Sequence, residues 1–162
     1  MKGRTLVVNA VVAALYFVIT LVVAPIGFLN IQFRLSELFN HLIVYNKRYF
    51  IGIVLGVVIA NLVLSPTKAD LVFGVGHTVV SLLITMWIGK YVKDEIKLMI
   101  INTFVFSFNM FIIAYMLKVF VGLTDGFFFL WFTLGISELV TMGIAIVIVY
   151  FLNKRLSFGK IV

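Results

Sequence analysis

Long unbroken apolar runs alternate with short clusters of charged, glycine and proline residues along nearly the whole chain. The runs are continuous, not alternating, so each reads as helix with an apolar circumference and not as strand. The pattern predicts six helical segments, at 5–24, 33–45, 49–64, 70–89, 96–119 and 127–152. Five are near the length of about 20 residues that a bilayer crossing requires. The second falls short of it. It is expected to lie tilted, or to be completed by the preceding segment as a partly re-entrant element.

The interruptions are of the kind that end helices. Pro25, Gly27 and Asn30 follow the first run, Ser65-Pro66 the third, and Gly122 with Asp125-Gly126 the fifth. Small residues recur at four-residue spacing in two runs: Ala10 and Ala14 in the first, with Ala13 beside them, and Gly52, Gly56 and Ala60 in the third. Such ridges let helices approach closely. For the third run internal packing is the simpler expectation.

Composition fixes the class. The 162 residues are 64% hydrophobic and 12% charged, about half the charge of a typical soluble domain. The expectation is an all-α integral membrane protein, a single six-helix transmembrane domain over 1–162. Continuous runs also argue against a transmembrane β-barrel. No cysteine is present, which excludes disulfide and thiolate chemistry, and His41 and His77 are the only imidazoles.

The net charge of +7 does not point to nucleic acid, because the cations sit in small groups between apolar runs. With the N-terminus in the cytoplasm, the inner segments hold Lys2, Arg4, Lys47, Arg48, Lys90, Lys93, Lys97, Lys154, Arg155 and Lys160. The outer ones hold Arg34, Lys68 and Lys118. This bias appears only when all six runs are counted as crossings, and it places both termini in the cytoplasm. Lys2 and Arg4 before an apolar stretch resemble a signal peptide. The stretch is long and lacks a small-residue cleavage site, so it reads as a retained first span.

Polar residues inside such runs are the candidates for chemistry. Arg34 and Glu37 are three apart and share one side of a helix. They either snorkel to the interface or form a site near the outer mouth of the bundle. Glu138 lies about a dozen residues into an apolar run. A carboxylate at that depth costs roughly 2.5–3.5 kcal/mol on insertion scales, so it should face the bundle interior. There it serves as a structural hydrogen-bonding group, a ligand contact or an ion-coupling site. Asn61, Asn102 and Asn109 read first as interhelical glue, worth about 0.6 kcal/mol each. Asp70 suits a helix N-terminus. His77, two turns further along, reaches either a central pocket or a neighbouring helix. Tyr115, Phe127, Phe128, Phe129 and Trp131 form either an interfacial belt or a stacking surface for a planar ligand. Trp87 reads as an inner-interface anchor. No nucleotide-binding glycine loop, Gly-x-Ser-x-Gly string or His-Glu-x-x-His cluster occurs. An enzyme is therefore not expected, nor a cofactor or a resident metal.

The string Gln32-Phe33-Arg34-Leu35-Ser36-Glu37 resembles the signature of the QueT family, substrate-binding (S) components of energy-coupling factor (ECF) transporters. The resemblance continues through Gly52 to Leu62, through Asp70 to Gly74, and to Glu138, with Tyr16 and the first-run alanines also fitting. The run Leu38-Phe39-Asn40-His41 departs from the smaller, more apolar residues usual there. Val57 stands where a cysteine is expected.

The resemblance implies a six-helix S-component bundle in the cell membrane. It implies a queuosine precursor or related 7-deazapurine as substrate, bound from outside. The implied partners are a transmembrane coupling protein and two ABC ATPases that hydrolyse the ATP. The residues themselves offer Arg34, Glu37, His41, His77, Asn109 and Glu138 as candidate substrate-binding groups, and the resemblance implies Ala10 and Ala14 as docking residues for the coupling protein. Either carboxylate could meet either edge of the ligand. Three other readings stand beside this one: an S component for another vitamin-like molecule, a stand-alone carrier in which Glu138 carries a proton, and a membrane interaction protein.

Overall fold

The computed structural model describes residues 3–27, 34–65 and 67–162. Gln32 and Phe33 of the signature, together with Lys2, Asn30 and Pro66, lie outside the described residues. Among those described, all regular structure is helical. Five helical stretches are long and apolar enough to cross a membrane: Gly3–Val23, Lys47–Leu64, Ala69–Ile88, Glu95–Val121 and Phe127–Leu156.

The first helix, α1, spans Gly3–Gly27. Its backbone stays helical past the expected break at Pro25, because proline removes one donor without forbidding helical φ. The second expected segment is not one α-helix. It is a 3₁₀ helix, Leu35–His41, running into a single α-helical turn, α2, at Leu42–Tyr45. A short 3₁₀ turn, Lys47–Tyr49, leads into α3, Phe50–Leu64. Then follow α4, Ala69–Ile88, and α5, Glu95–Asn109.

The expected fifth run is broken inside. α5 stops before Met110, α6 covers Phe111–Met116, and a π-helical turn at Leu117–Val121 completes it. Gly122 closes that turn with φ 77°, a left-handed conformation that glycine adopts without strain. The indole Nε1–H of Trp131 donates to the carbonyl of Phe108 at 2.8 Å, supplying a partner next to the break. α7 spans Phe127–Leu156, and a last turn, α8, covers Phe158–Ile161.

The bundle has two distinct ends. At one end the start of α1 meets the start of α3: Asn9 Oδ1 accepts from the Gly52 N–H at 2.8 Å, while Asn9 Nδ2 donates to Thr5 O at 2.9 Å. There too Tyr49 OH donates to Phe158 O at 2.9 Å, and Asn46 Nδ2 donates to Val162 O at 3.3 Å. Thr5, Lys47, Arg48, Leu83 and Met86 share one groove at this end. The start of α1 and the C-terminal turn therefore both lie beside the Lys47-Arg48 turn. Arg34 and the starts of α4 and α7 belong to the other end.

The third-run ridge packs internally. A Cβ on Gly52 would come within 2.6 Å of Asn9 Oδ1 and 2.9 Å of its Cα, and one on Gly56 within 2.6 Å of Tyr16 Cβ. Ala60 is buried as well. Polarity is arranged inside out. Large apolar side chains such as Val22, Leu62, Val72 and Phe128 are exposed around the outside, while Asn, Thr, Ser, His and Glu fill the centre. In lipid that arrangement is the stable one, since exposed apolar surface costs nothing and buried polar groups find partners.

Gly52→Ala should lower the thermal midpoint of the detergent-solubilised protein, at a cost of about 1–3 kcal/mol from overpacking. Gly143→Ala, where an added Cβ meets nothing within 4 Å, should leave the midpoint unchanged or raise it slightly. Equal midpoints for the two variants would show that α1 and α3 do not touch at Gly52.

Candidate functional site

The site grows from the 3₁₀ segment. A 3₁₀ helix has three residues per turn, so residues three apart are stacked in a row. Arg34, at its entrance, Glu37 and Asn40 form one such row. Arg34 Nη1 lies 3.7 Å from Glu37 Oε1, and Asn40 Nδ2 donates to Glu37 Oε2 at 3.1 Å. An α-helix would have carried Asn40 well round from Arg34. The second row, Ser36, Phe39 and Leu42, turns towards α1. Thr20 Oγ1 donates to Ser36 Oγ at 2.8 Å, and the Tyr16 ring lies 6.1 Å from that of Phe39. His41 belongs to the third row and reaches α7, where its Nε2–H donates to Met142 O at 3.0 Å.

Glu138 on α7 faces Glu37. It is 1% exposed, and Glu37 and Arg34 are the charged groups that act on it. The Tyr16 hydroxyl is within electrostatic reach of Glu37, Arg34 and Glu138. His77 on α4 is fully buried and within reach of Glu37 and Arg34. Its Nε2 sits 3.0 Å from Phe106 O. A carbonyl only accepts, so Nε2 carries the proton, and in the neutral ring Nδ1 is a lone-pair acceptor.

Five buried atoms here have no partner among the described residues: Arg34 Nη2, Asn40 Oδ1, His77 Nδ1 and both carboxyl oxygens of Glu138. Buried polar groups are normally hydrogen-bonded, so bare atoms on these neighbouring side chains mark them as the candidate site. With both carboxylates ionised, Arg34, Glu37 and Glu138 carry one net negative charge. A cationic group or a proton completes them.

The remaining candidates divide differently. Both ring nitrogens of His41 are committed to the protein, Nε2 to Met142 O and Nδ1 to Asn102 Nδ2 at 3.3 Å. Asn102 also donates to Asn40 O at 3.3 Å and accepts from Thr85 Oγ1 at 2.7 Å. Asn102 therefore ties α4 and α5 to the 3₁₀ segment. Asn109 Nδ2 donates to Ser81 Oγ at 2.9 Å, joining α5 to α4. Asn61 donates to Asp70 O at 3.1 Å, and the Asp70 carboxylate accepts from Ser65 and Thr67 at the start of α4. Phe128 and Phe129 are exposed, and Trp131 packs against Phe108, Phe111 and Phe127 on the outer α5–α7 face, as a belt would.

Asn40 is the site residue that motif reading missed. Its signal was the row Arg34, Glu37, Asn40 at a spacing of three, visible only once the segment is taken as 3₁₀. Asn9 was missed too, being one polar residue in a long apolar run. Ala10 and Ala14 lie exposed on the outer side of α1, while Asn9, Val12, Ala13 and Tyr16 face inward.

The family described as "QueT transporter" matches residues 6–154. A curated relative from Lactococcus lactis subsp. cremoris, described as "Queuosine precursor transporter QueT", is 33% identical, the alignment covering 98% of each chain. No solved structure matches.

Asn102→Ala should lower the thermal midpoint, at a cost of about 1–3 kcal/mol for each polar partner it leaves buried and unpaired. Thermal unfolding in detergent measures it. An unchanged midpoint would mean that Asn102 does not hold the 3₁₀ segment in place.

Proposed function

The chain belongs to the QueT transporter family, and from that premise we propose that it is the substrate-binding S component of an ECF-type importer for a queuosine precursor or related 7-deazapurine. It is a multi-pass membrane transport protein and not an enzyme. The observation that carries the proposal is the buried group of Arg34, Glu37 and Glu138, in which Glu138 has no hydrogen-bond partner among the described residues beyond the Glu37 carboxyl it faces. A deazaguanine-type base presents N–H and amino donors along one edge, which a carboxylate accepts in pairs. A cationic aminomethyl substituent would balance the second carboxylate. Tyr16 and His77 lie within electrostatic reach of the same charged group.

In this reading Glu138 and Glu37 share the polar ends of the ligand, and Arg34 holds Glu37 in place while offering Nη2 to a ligand oxygen. His41 and Asn109 support the site through the bonds they make to the protein. The membrane arrangement follows the charges. Six traverses, the second containing the 3₁₀ segment, put both chain ends in the cytoplasm beside Lys47, Arg48, Lys154 and Arg155. Two features support this: the C-terminal turn bonds to the Asn46–Tyr49 turn, beside which Thr5 also lies, and a 3₁₀ helix rises about 2.0 Å per residue, covering more depth per residue than an α-helix. Arg34 then lies near the outer face, where ligand enters.

Ala10 and Ala14 offer a shallow small-residue track on α1 for a helix of the coupling protein. ATP is hydrolysed by the two ABC ATPases bound to that partner.

Calorimetry on the protein in nanodiscs should show 7-deazaguanine-type binding. Glu37→Gln and Glu138→Gln should each weaken it about 10–100-fold, the loss expected for one charged hydrogen bond. Unaltered affinity in both variants would rule the carboxylates out as ligand contacts. Replacing Ala10 and Ala14 together by Leu should abolish co-purification with the coupling protein and ATPases while leaving ligand affinity within about 3-fold. Full retention of the complex would exclude that face, and absence of any ATPase from the wild-type complex would favour a stand-alone carrier.

A further inference from the structure

The bare atoms of the site are lopsided in kind. Arg34 Nη2 is a donor, whereas Asn40 Oδ1, His77 Nδ1 and the two Glu138 oxygens accept when the carboxyl is ionised. The orientation of the Asn40 amide is set by its neighbour. The Glu37 carboxylate, paired with Arg34, can only accept, so Nδ2 must point to it and Oδ1 must point away. His77 Nδ1 is an acceptor for the same kind of reason, because Phe106 O claims the proton on Nε2. Both side chains are fully buried. Neither can turn its bare acceptor to water, and neither can change its hydrogen-bonding sense without breaking a bond to the protein.

We propose that Asn40 Oδ1 and His77 Nδ1 form an acceptor pair that selects bases carrying an exocyclic amino group. This rests on the reading of the site as a 7-deazapurine site. A 7-deazaguanine offers N–H donors at N1, at N9 and twice at its amino group. That is one donor for each bare acceptor, with O6 left for Arg34 Nη2. Replacing N7 by carbon removes an acceptor for which the site has no second bare donor. A 7-deazahypoxanthine lacks the amino group and leaves buried acceptors unpaired, the condition under which a hydrogen-bonding site rejects an analogue most strongly.

The test is the ratio of affinities for 7-deazaguanine and 7-deazahypoxanthine, measured by calorimetry on the full chain in nanodiscs. Wild-type protein should prefer the aminated base by about 100-fold or more. Glu138 takes N1–H and one amino N–H, so one of the two acceptors takes the second amino N–H and the other N9–H. In Asn40→Leu or in His77→Phe the ratio should therefore fall below about 5-fold, while the other variant weakens both bases alike. A purely structural role would weaken both bases alike and leave the ratio in place. A preserved ratio in both monodisperse variants overturns the proposal. If Asn40→Leu does not fold, Asn40→Ser, which shortens the side chain away from the ligand, reads the same ratio. Binding of both bases with equal affinity by the wild-type protein overturns the acceptor pair while leaving the transporter reading intact. Binding of neither takes down both.

Discussion

An ionised group inside an apolar bundle must be met by another polar group, and the architecture follows from that demand. Arg34 and Glu37 meet each other within the 3₁₀ segment, and Asn40 takes the remaining oxygen of Glu37. Glu138 is brought against them from α7, facing the Glu37 carboxyl and no other hydrogen-bond partner among the described residues. Around this group the helices are fixed by polar contacts that do not depend on the hydrophobic effect, which has little force between helices already in lipid. Asn9 holds α1 to α3, Asn61 holds α3 to α4, and Asn102 and Asn109 hold α4 to α5. The apolar residues supply close packing. The polar ones supply register.

The 3₁₀ segment does two jobs through one geometric property. Its three-residue period sends three different rows to three different neighbours: the charged row to the site, the Ser36-Phe39 row to α1, and His41 to α7. A four-residue offset would have mixed these rows. Its rise of about 2.0 Å per residue also carries the chain further along the bundle per residue than an α-helix would.

Much of this was legible from residue order. The helical class, the five long helices, the internal packing of Gly52, Gly56 and Ala60, and the inward placement of Glu138 follow from run length and from the cost of a carboxylate in lipid. Asn61 and Asn102 act as glue, as their residue type suggests. The 3₁₀ geometry was not legible. Nothing in Leu35–His41 distinguishes a 3₁₀ from an α-helix by composition, and the choice is made by contacts far along the chain, at Thr20, Asn102 and Met142. For the same reason His41 looked like a ligand group although the fold commits both its nitrogens, and Asn40 looked incidental. The break at Met110 escaped notice because no proline or glycine marks it.

α1 carries unlike duties on its two sides. Inward it presents Asn9, Ala13 and Tyr16, seated directly on glycines of α3 with no intervening side chain to absorb a shift. Outward it presents Ala10 and Ala14. An α-helix is only about 10 Å across, and backbone seated on backbone has almost no give. A body pressing on the outer alanines would therefore push on Tyr16, at the edge of the carboxylate pair, through a single rigid rod.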